Sequence, residues 1–411
     1  MRTAIVLGGG MVGVSSAIHL QQLGWAVILI DRREPGRETS YGNSGVIQSE
    51  AVRPYAMPLS PKMLADIALG KTNDVHYRLL SLPAHVRPLL KYWWHSAPSR
   101  YRSISVAYSR LVASATADHG TLIRDAQADH LVRRGGYRVL HRDPMALDKA
   151  VDAAKNVSLE FGVKFRVLSG IELAQAESID CGHCPGAIHW LDPWTVSDPG
   201  GLVSAYAELF QRLGGKILRG DANTLHEGSA GWSVDTMEGR VDAASVVVAL
   251  GPWSPDLLRK LGYKIELVRK RGYHMHYQGA GTLDLPLVDA TFGYVIAPML
   301  KGLRITTGAE LTGADAPIRT DQLDTSEAIA RKLLDLGARI EPEPWFGTRP
   351  CSPDMLPIFG SAPRHRGLWM NFGHGHQGFT LGPTTGRLLA ILMSGEAPRM
   401  DVAPYGPARF G

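Results

Sequence analysis

Two glycine-rich turns and one arginine carry most of the chemistry that the residue types and spacings offer. The first turn holds Gly8, Gly10 and Gly13 in a G-x-G-x-x-G. It lies between the apolar run TAIVL (3–7) and the helix-like run VSSAIHLQQLG. The apolar run WAVILID follows and ends in Asp31. Strand, tight turn, helix, strand and terminal acid in this order point to a dinucleotide site. Gly8 closes the turn, Gly10 lets a pyrophosphate approach the backbone, and Gly13 lets the helix pack closely on the sheet. The phosphates sit at the helix start, beside Met11 and Val12. Asp31 accepts hydrogen bonds from a ribose, which argues against a 2′-phosphate, although Arg32 and Arg33 stand next to it.

The second turn is Gly373-His-Gly-His-Gln-Gly378, between the strand-like LWMNF and a helix-like run. Backbone N–H groups at a helix start favour negative charge. That suits the N1–C2 edge of a reduced flavin, with Gly375, His376, Gln377, Gly378, Phe379 and Thr380 facing it. His374 and His376 read equally well as packed or capping side chains. Arg349 lies between Thr348 and Pro350 in the Pro-rich run WFGTRPCSPDMLPIFG, which reads as turns that hold a guanidinium rigidly. Its planar fork suits a carboxylate; the competing reading is a salt bridge to Asp354. Tyr55, Tyr273, Tyr294 and Trp345 are candidate pocket aromatics, each also readable as core.

The elements that must position these groups follow from periodicity and breakers. Residues 34–61 are a Gly/Ser/Pro-rich loop in which Ser40, Asn43, Ser44, Gly45 and Val46 could run along an extended cofactor. Residues 62–132 read mostly as helix. A strand over 137–142, a helix after Asp143, a strand in VKFRVLSG, and a helix–turn–strand in PGGLVSAYAELFQRLGGKILRG come next. The buried run ending at Gly251-Pro252-Trp253 marks another close approach to a ligand. Residues 264–311 are short strands of an antiparallel meander, and 326–337 read as a helix. The fold class is α/β: a Rossmann-like FAD-binding domain with a second, antiparallel-sheet α+β substrate domain. The first is discontinuous, over 1–61, 137–220, 232–262 and 338–411; the substrate or cap domain takes 62–136 and 263–337.

Composition narrows the partners. The 411 residues have a net charge of +5 without a basic block, so nucleic acid is excluded as a partner. Cys181 and Cys184 form one C-x-x-C, with His183 and His189 nearby, but a zinc site needs two more ligands, so no metal is expected. The pair is read as two thiols near a turn, with a redox role as the alternative. No secretory leader and no transmembrane run is expected, which makes the cytoplasm the default. Residues 89–102 (LLKYWWHSAPSRYR) interleave Tyr92, Trp93, Trp94 and Tyr101 with basic residues. They suit a peripheral contact with the inner face of the cell membrane, or packing as core or lid. A homo-oligomer is also compatible.

These motifs together resemble the D-amino-acid oxidase and dehydrogenase superfamily of flavoproteins over nearly the whole chain, most of all the D-amino-acid dehydrogenases of the small-subunit class. The Thr-Ser-x-x-Asn-x-Gly stretch is similar to Thr39, Ser40, Asn43 and Gly45. The second cofactor strand is similar to Val248–Trp253, and the carboxylate-binding segment to Gly347-x-Arg349-Pro350-x-x-Pro353-Asp354. The resemblance implies FAD, with the first turn and Asp31 on its ADP half. Sarcosine oxidases of the superfamily attach flavin through a cysteine near this segment. Cys351 is offset from that position, so the FAD is expected to be non-covalent. HQGFTLGPTTGRLLA differs from the Gly-Trp-Thr form of D-alanine-type enzymes, which brings cis-4-hydroxy-D-proline and other cyclic imino acids into range. The expected reaction is oxidation of an amino or imino acid at Cα, with Arg349 holding the carboxylate, helped by Tyr294, and with His376 and Tyr55 at the site. The electron acceptor is a quinone or carrier protein, or oxygen in an oxidase. A flavin-bearing component of a multi-chain imino-acid dehydrogenase is a further alternative, as is a nicotinamide-dependent dehydrogenase, which leaves 39–45 and the second turn unexplained.

Overall fold

The structure, a computed structural model, describes residues 2–73, 75–182, 184–228, 231–279, 283–313 and 315–411. It is α/β, built on two large sheets. The six-stranded sheet runs in the order Lys216–Arg219, Ala26–Asp31, Thr3–Leu7, Ser245–Val248, Leu368–Phe372, Ile358–Ser361. All neighbours are parallel except the last pair. Thr3–Leu7 is central and apolar on both faces because both are covered. Ala4 and Val6 face a core shared with Val14, Ile18 and Leu389, whereas Ile5 and Leu7 face one shared with Trp232 and Leu257.

Parallel strands put their carboxyl ends on one edge. The strands ending at Leu7, Val248 and Phe372 are neighbours, so the glycine turns at Gly8, Gly251 and Gly373 emerge side by side. The helices after the first and third of these turns, Met11–Gln22 and Gly378–Met393, pack directly on each other. They do so almost backbone to backbone. A Cβ on Gly382 would lie 2.8 Å from Met11 Cγ, and one on Gly386 would lie 2.8 Å from the Ser16 backbone nitrogen.

The larger sheet has the antiparallel meander Leu287–Asp289, Tyr294–Met299, Gly302–Thr306, Val268–Tyr277 at its heart. Its membership departs from the segment boundaries read from sequence. Tyr137–His141, Phe165–Ser169 and Gly186–Trp190, assigned there to the cofactor side, extend this sheet beyond Leu287–Asp289. The helix Pro98–Asp125, assigned to the cap, packs on Gly378–Met393, and its Leu122 and Ile123 join the core under the parallel sheet.

Two local expectations are corrected. The run around Arg349 is not a series of turns: Trp345–Cys351 is a strand paired antiparallel with Val268–Tyr277, placing Lys270 opposite Arg349. The helix expected at 326–337 spans Asp321–Ala330, starting with acids at Asp321 and Asp324 that suit a helix N-terminus. The run 89–102 divides. Tyr92 is buried, Tyr101 donates to the Pro54 carbonyl (2.8 Å), and Trp93 and Trp94 are half exposed. Among the described residues no helix is long and apolar enough to cross a membrane. Cys181 and Cys184 are both free thiols, and Cys184 donates to the Cys181 carbonyl. His183 lies outside the described residues.

The helix–helix contact makes a clear prediction. Gly386→Val should cost about 1–3 kcal/mol by overpacking, seen as a lower urea midpoint, whereas Gly406→Ala, at φ −60° with only the Ala403 carbonyl near an added Cβ (3.4 Å), should leave the midpoint nearly unchanged.

Candidate active site

A cavity of about 800 Å³, toward the upper end for small-molecule sites, is lined from both sheets. Asp31, Arg32 and Trp253 stand at one region of its wall, and Tyr294, Arg349 and His376 also line it.

At the first turn, a Cβ on Gly8 would lie 2.4 Å from the Ala249 carbonyl oxygen, and Gly8 has φ of +114°. Gly13 does not line the cavity; a Cβ there would sit 1.8 Å from the Gly8 carbonyl oxygen, so it serves the close packing of helix on turn. Gly10, the N-cap residue of the helix starting at Met11, has no side chain with which to cap it. The Met11 N–H donates to Ser40 Oγ at 3.0 Å, leaving Val12 and the Ser40 hydroxyl proton for a phosphate. Asp31 accepts from Gly9 N–H (2.6 Å) and Arg33 N–H (2.9 Å). Each carboxylate oxygen keeps a lone pair for a ribose hydroxyl. Arg32 and Arg33 both pair with Glu38, and the Arg32 guanidinium lies 4.4 Å from the Trp253 ring centre. The basic pair is thus already engaged, which removes the sequence-level argument for a 2′-phosphate.

The loop after Asp31 divides its labour. Ser40, Asn43, Ser44 and Val46 line the cavity, but Gly45 does not. The Asn43 side chain accepts from Gly45 N–H (2.8 Å) and Val46 N–H (3.3 Å), so it shapes the loop. A latch that sequence reasoning missed holds the loop from the larger sheet. Arg304 donates to the carbonyls of Tyr41 (3.0 Å) and Asn43 (2.7 Å), and its Nε donates to His276 Nε2 (2.9 Å). His276 Nδ1 faces Glu341 at 2.9 Å. Burial and then the Arg304 charge hold the His276 imidazole down to about 4. It is therefore neutral and can accept from Arg304. Trp345 lies flat against His274, with ring centres 4.7 Å apart, and its ring fills the space where a Gly42 side chain would go.

At the second turn, Gly375, His376, Gly378 and Phe379 line the cavity, as do Gly251 and Trp253. Gln377 and Thr380 stand behind it: Gln377 donates to Gln48 Oε1 (2.5 Å), and Thr380 Oγ1 accepts from Gln48 N–H (3.1 Å). Burial pushes the His374 imidazole down to about 3, and it meets Thr385 Oγ1 at 2.9 Å. Burial, then Arg349, holds His376 well below its usual value, so it too is neutral. Tyr55 packs on His376, with ring centres 5.2 Å apart. It is surrounded by protein yet 55% accessible, as befits a side chain projecting into a cavity.

Arg349 donates from Nη1 to the Gly308 carbonyl (2.6 Å) and from Nη2 to the Thr307 carbonyl (3.1 Å). Two of its five N–H donors are spent and three remain. Its expected alternative partner, Asp354, pairs with Arg409 instead. Desolvation lowers the Arg349 pKa, but a guanidinium stays charged. The guanidinium lies over Gly272, where an added Cβ would be 2.5 Å from Nη1. Tyr294 is 1% exposed and lines the cavity, and the Asp289 carboxylate and Arg142 guanidinium stand beside its hydroxyl. Tyr273, by contrast, donates to Glu310. Cys351 is buried beside the cavity without lining it, and its backbone bridges to His374.

The residues fit a flavin dinucleotide. Glycine cradles that a Cβ would fill meet helix starts at Met11 and Gly378 whose N-cap residues make no side-chain cap. The comparisons agree. The profile of the family described as "DAO: FAD dependent oxidoreductase" matches residues 3–392, and the chain belongs to that family. It is 30% identical over 423 residues to a D-amino-acid oxidase of Bradyrhizobium diazoefficiens, covering 100% of this chain and 99% of that protein. It is also 30% identical over 423 residues to a D-amino acid dehydrogenase of Chromohalobacter salexigens, covering 99% of each. Among solved structures it resembles glycine oxidase from Geobacillus kaustophilus (TM-score 0.74, 21% identity, 100% of this chain and 99% of that one). It likewise resembles L-proline dehydrogenase from P. horikoshii (TM-score 0.74, 17% identity, 100% and 97%). At those identities the likeness speaks to the fold. The protein is an FAD-dependent oxidoreductase.

Two variants test the supports. Gly272→Ala should leave the fold intact and raise KM for a carboxylate substrate by about tenfold or more, the equivalent of one charged hydrogen bond, in steady-state kinetics. Arg304→Met should weaken FAD binding by about tenfold, read by flavin fluorescence on titrating apoprotein.

Proposed function

We propose that this enzyme oxidises a D-amino acid or a cyclic imino acid at Cα and passes the electrons to a quinone or a carrier protein. The observation that carries the reading is Arg349, fixed on a strand with three unspent N–H donors at a cavity wall. When bound, FAD supplies a two-electron acceptor that takes hydride from the substrate carbon. Arg349 binds the carboxylate, and the Tyr294 hydroxyl adds a hydrogen bond to it. Tyr55 and neutral His376 wall the side-chain space and exclude water. Met11, Val12, Asp31, Arg32, Ser40, Ser44 and Val46 hold the ADP and pyrophosphate; Gly251, Trp253, Gly375, Gly378 and Phe379 approach the rest of the cofactor. The imine from a primary amino acid is hydrolysed by water to an oxo acid and ammonia, whereas a cyclic imine keeps its nitrogen bonded to the carbon chain.

Both 30% identical relatives carry D-amino acid names, which supports the D series. One is called an oxidase, and that favours oxygen as acceptor in a second reading. Anaerobic mixing with D-, L- and N-alkyl amino acids, including both proline series, should bleach the flavin with D or cyclic substrates. Reoxidation by a quinone analogue faster than by oxygen supports the dehydrogenase; the reverse order supports the oxidase. Bleaching by L-amino acids alone would sink the reading. Arg349→Ala should raise KM about 10²-fold, roughly 3 kcal/mol for two charged hydrogen bonds, with Arg349→Lys in between.

A further inference from the structure

Glu50 is a buried carboxyl that the chemistry above leaves unused. It is 7% exposed and lies in the loop over 34–61, just after its short strand Val46–Ile47. Its Oε1 accepts from the Tyr137 hydroxyl (2.8 Å) and from the Gln48 side-chain amide (2.8 Å). Its Oε2 is buried without a partner among the described residues. Among those residues no lysine or arginine forms an ion pair with it; the nearby Arg53 is paired with Glu160. A buried carboxylate held only for stability would be paired with a cation. This one instead sits one hydrogen bond behind the reaction chamber, because Tyr137, Gln48 and Tyr55 all line the cavity with Arg349.

The surrounding groups are few. Tyr137 comes from the larger sheet, Tyr55 from the loop, Tyr108 from the helix Pro98–Asp125, and the Asp192 carboxylate acts from farther away. Arg349 acts on Tyr55 from the other side. Burial pushes the Glu50 carboxyl up to about 7, against the opposing hydrogen bonds from Tyr137 and Gln48. The group thus changes charge in the range where an amino-acid ammonium must lose a proton.

We propose that Glu50, acting through Tyr137, takes the proton that the substrate's ammonium group gives up before its Cα is oxidised. The ammonium N–H proton passes to the Tyr137 oxygen as the Tyr137 proton passes to Glu50 Oε1. The substrate becomes a neutral amine, Glu50 becomes a carboxylic acid, and Tyr137 ends unchanged. No electrons move in this step. Hydride loss from Cα then leaves an iminium that keeps the remaining N–H protons, two for a primary amine and one for a cyclic amine. Glu50 touches no reacting atom and is a positioning residue for the proton. The proposal rests on the amine-oxidising activity, not on substrate handedness or on the electron acceptor.

The test is anaerobic flavin reduction by the holoenzyme between pH 6 and 10.5, for wild type, Glu50→Gln and Tyr137→Phe. The wild-type rate should fall as pH drops through about 7, because Glu50 is then already protonated. In either variant this limb should move up toward the pKa of the free substrate amine. The rate near pH 7.5 should drop about 10²-fold and recover to within a few-fold of wild type near pH 10, where the substrate arrives neutral. The infrared spectrum of the substrate-free holoenzyme gives a second readout: a protonated-carboxyl band that titrates near pH 7 and is missing in Glu50→Gln. A loss of equal size at every pH, or an unmoved limb in both variants, overturns the role of Glu50 while leaving the oxidase or dehydrogenase reading in place. A holoenzyme that no amine reduces takes both down.

Discussion

The near-contact of two helix backbones governs this molecule. Met11–Gln22 and Gly378–Met393 meet where Gly382 and Gly386 remove every side chain that would hold them apart. Each helix begins at a glycine turn on the carboxyl edge of one parallel sheet. Their closeness brings two sets of uncapped N–H groups, from opposite ends of the chain, to a common cavity. Packing and cofactor chemistry therefore have one cause. Side chains large enough to separate the helices would also part the two turns.

A second constraint joins this half to the larger sheet. Arg304 reaches across to the carbonyls of Tyr41 and Asn43, and neutral His276 takes its third hydrogen bond. The loop after Asp31 is thus gripped by the sheet that carries Arg349. Oriented carbonyls around a buried guanidinium lose less to desolvation than an unpaired cation would. The same logic recurs at Arg349, where the Thr307 and Gly308 carbonyls settle two donors and leave the rest available.

The local parts of this architecture were legible in sequence, and the long-range parts were not. Strand, turn, helix and strand over 3–31 announce themselves because their signals are adjacent: apolar runs, three glycines and a terminal acid. Arg349 was legible as a candidate carboxylate partner by type and motif, and the structure places it at the cavity wall, but its strand was hidden by Gly347, Pro350 and Pro353. Trp345–Cys351 tolerates Pro350 because it pairs on one side only, with Val268–Tyr277. The latch at Arg304, the clearance at Gly272 and the Glu50–Tyr137 pair join residues 77 to 263 positions apart. Nothing in their neighbours' types signals those partners. Gly13, Gly45, Gln377 and Thr380, read from sequence as cofactor contacts, stand behind the cavity wall instead of lining it.

The strand bearing Arg349 also reaches the flavin-side turn, since the Cys351 backbone bridges to His374. Two steps of extended chain, roughly 7 Å, separate Arg349 from the bridging residue Cys351. The strand thus ties the guanidinium to the glycine turn, and a shift in its register would move both together.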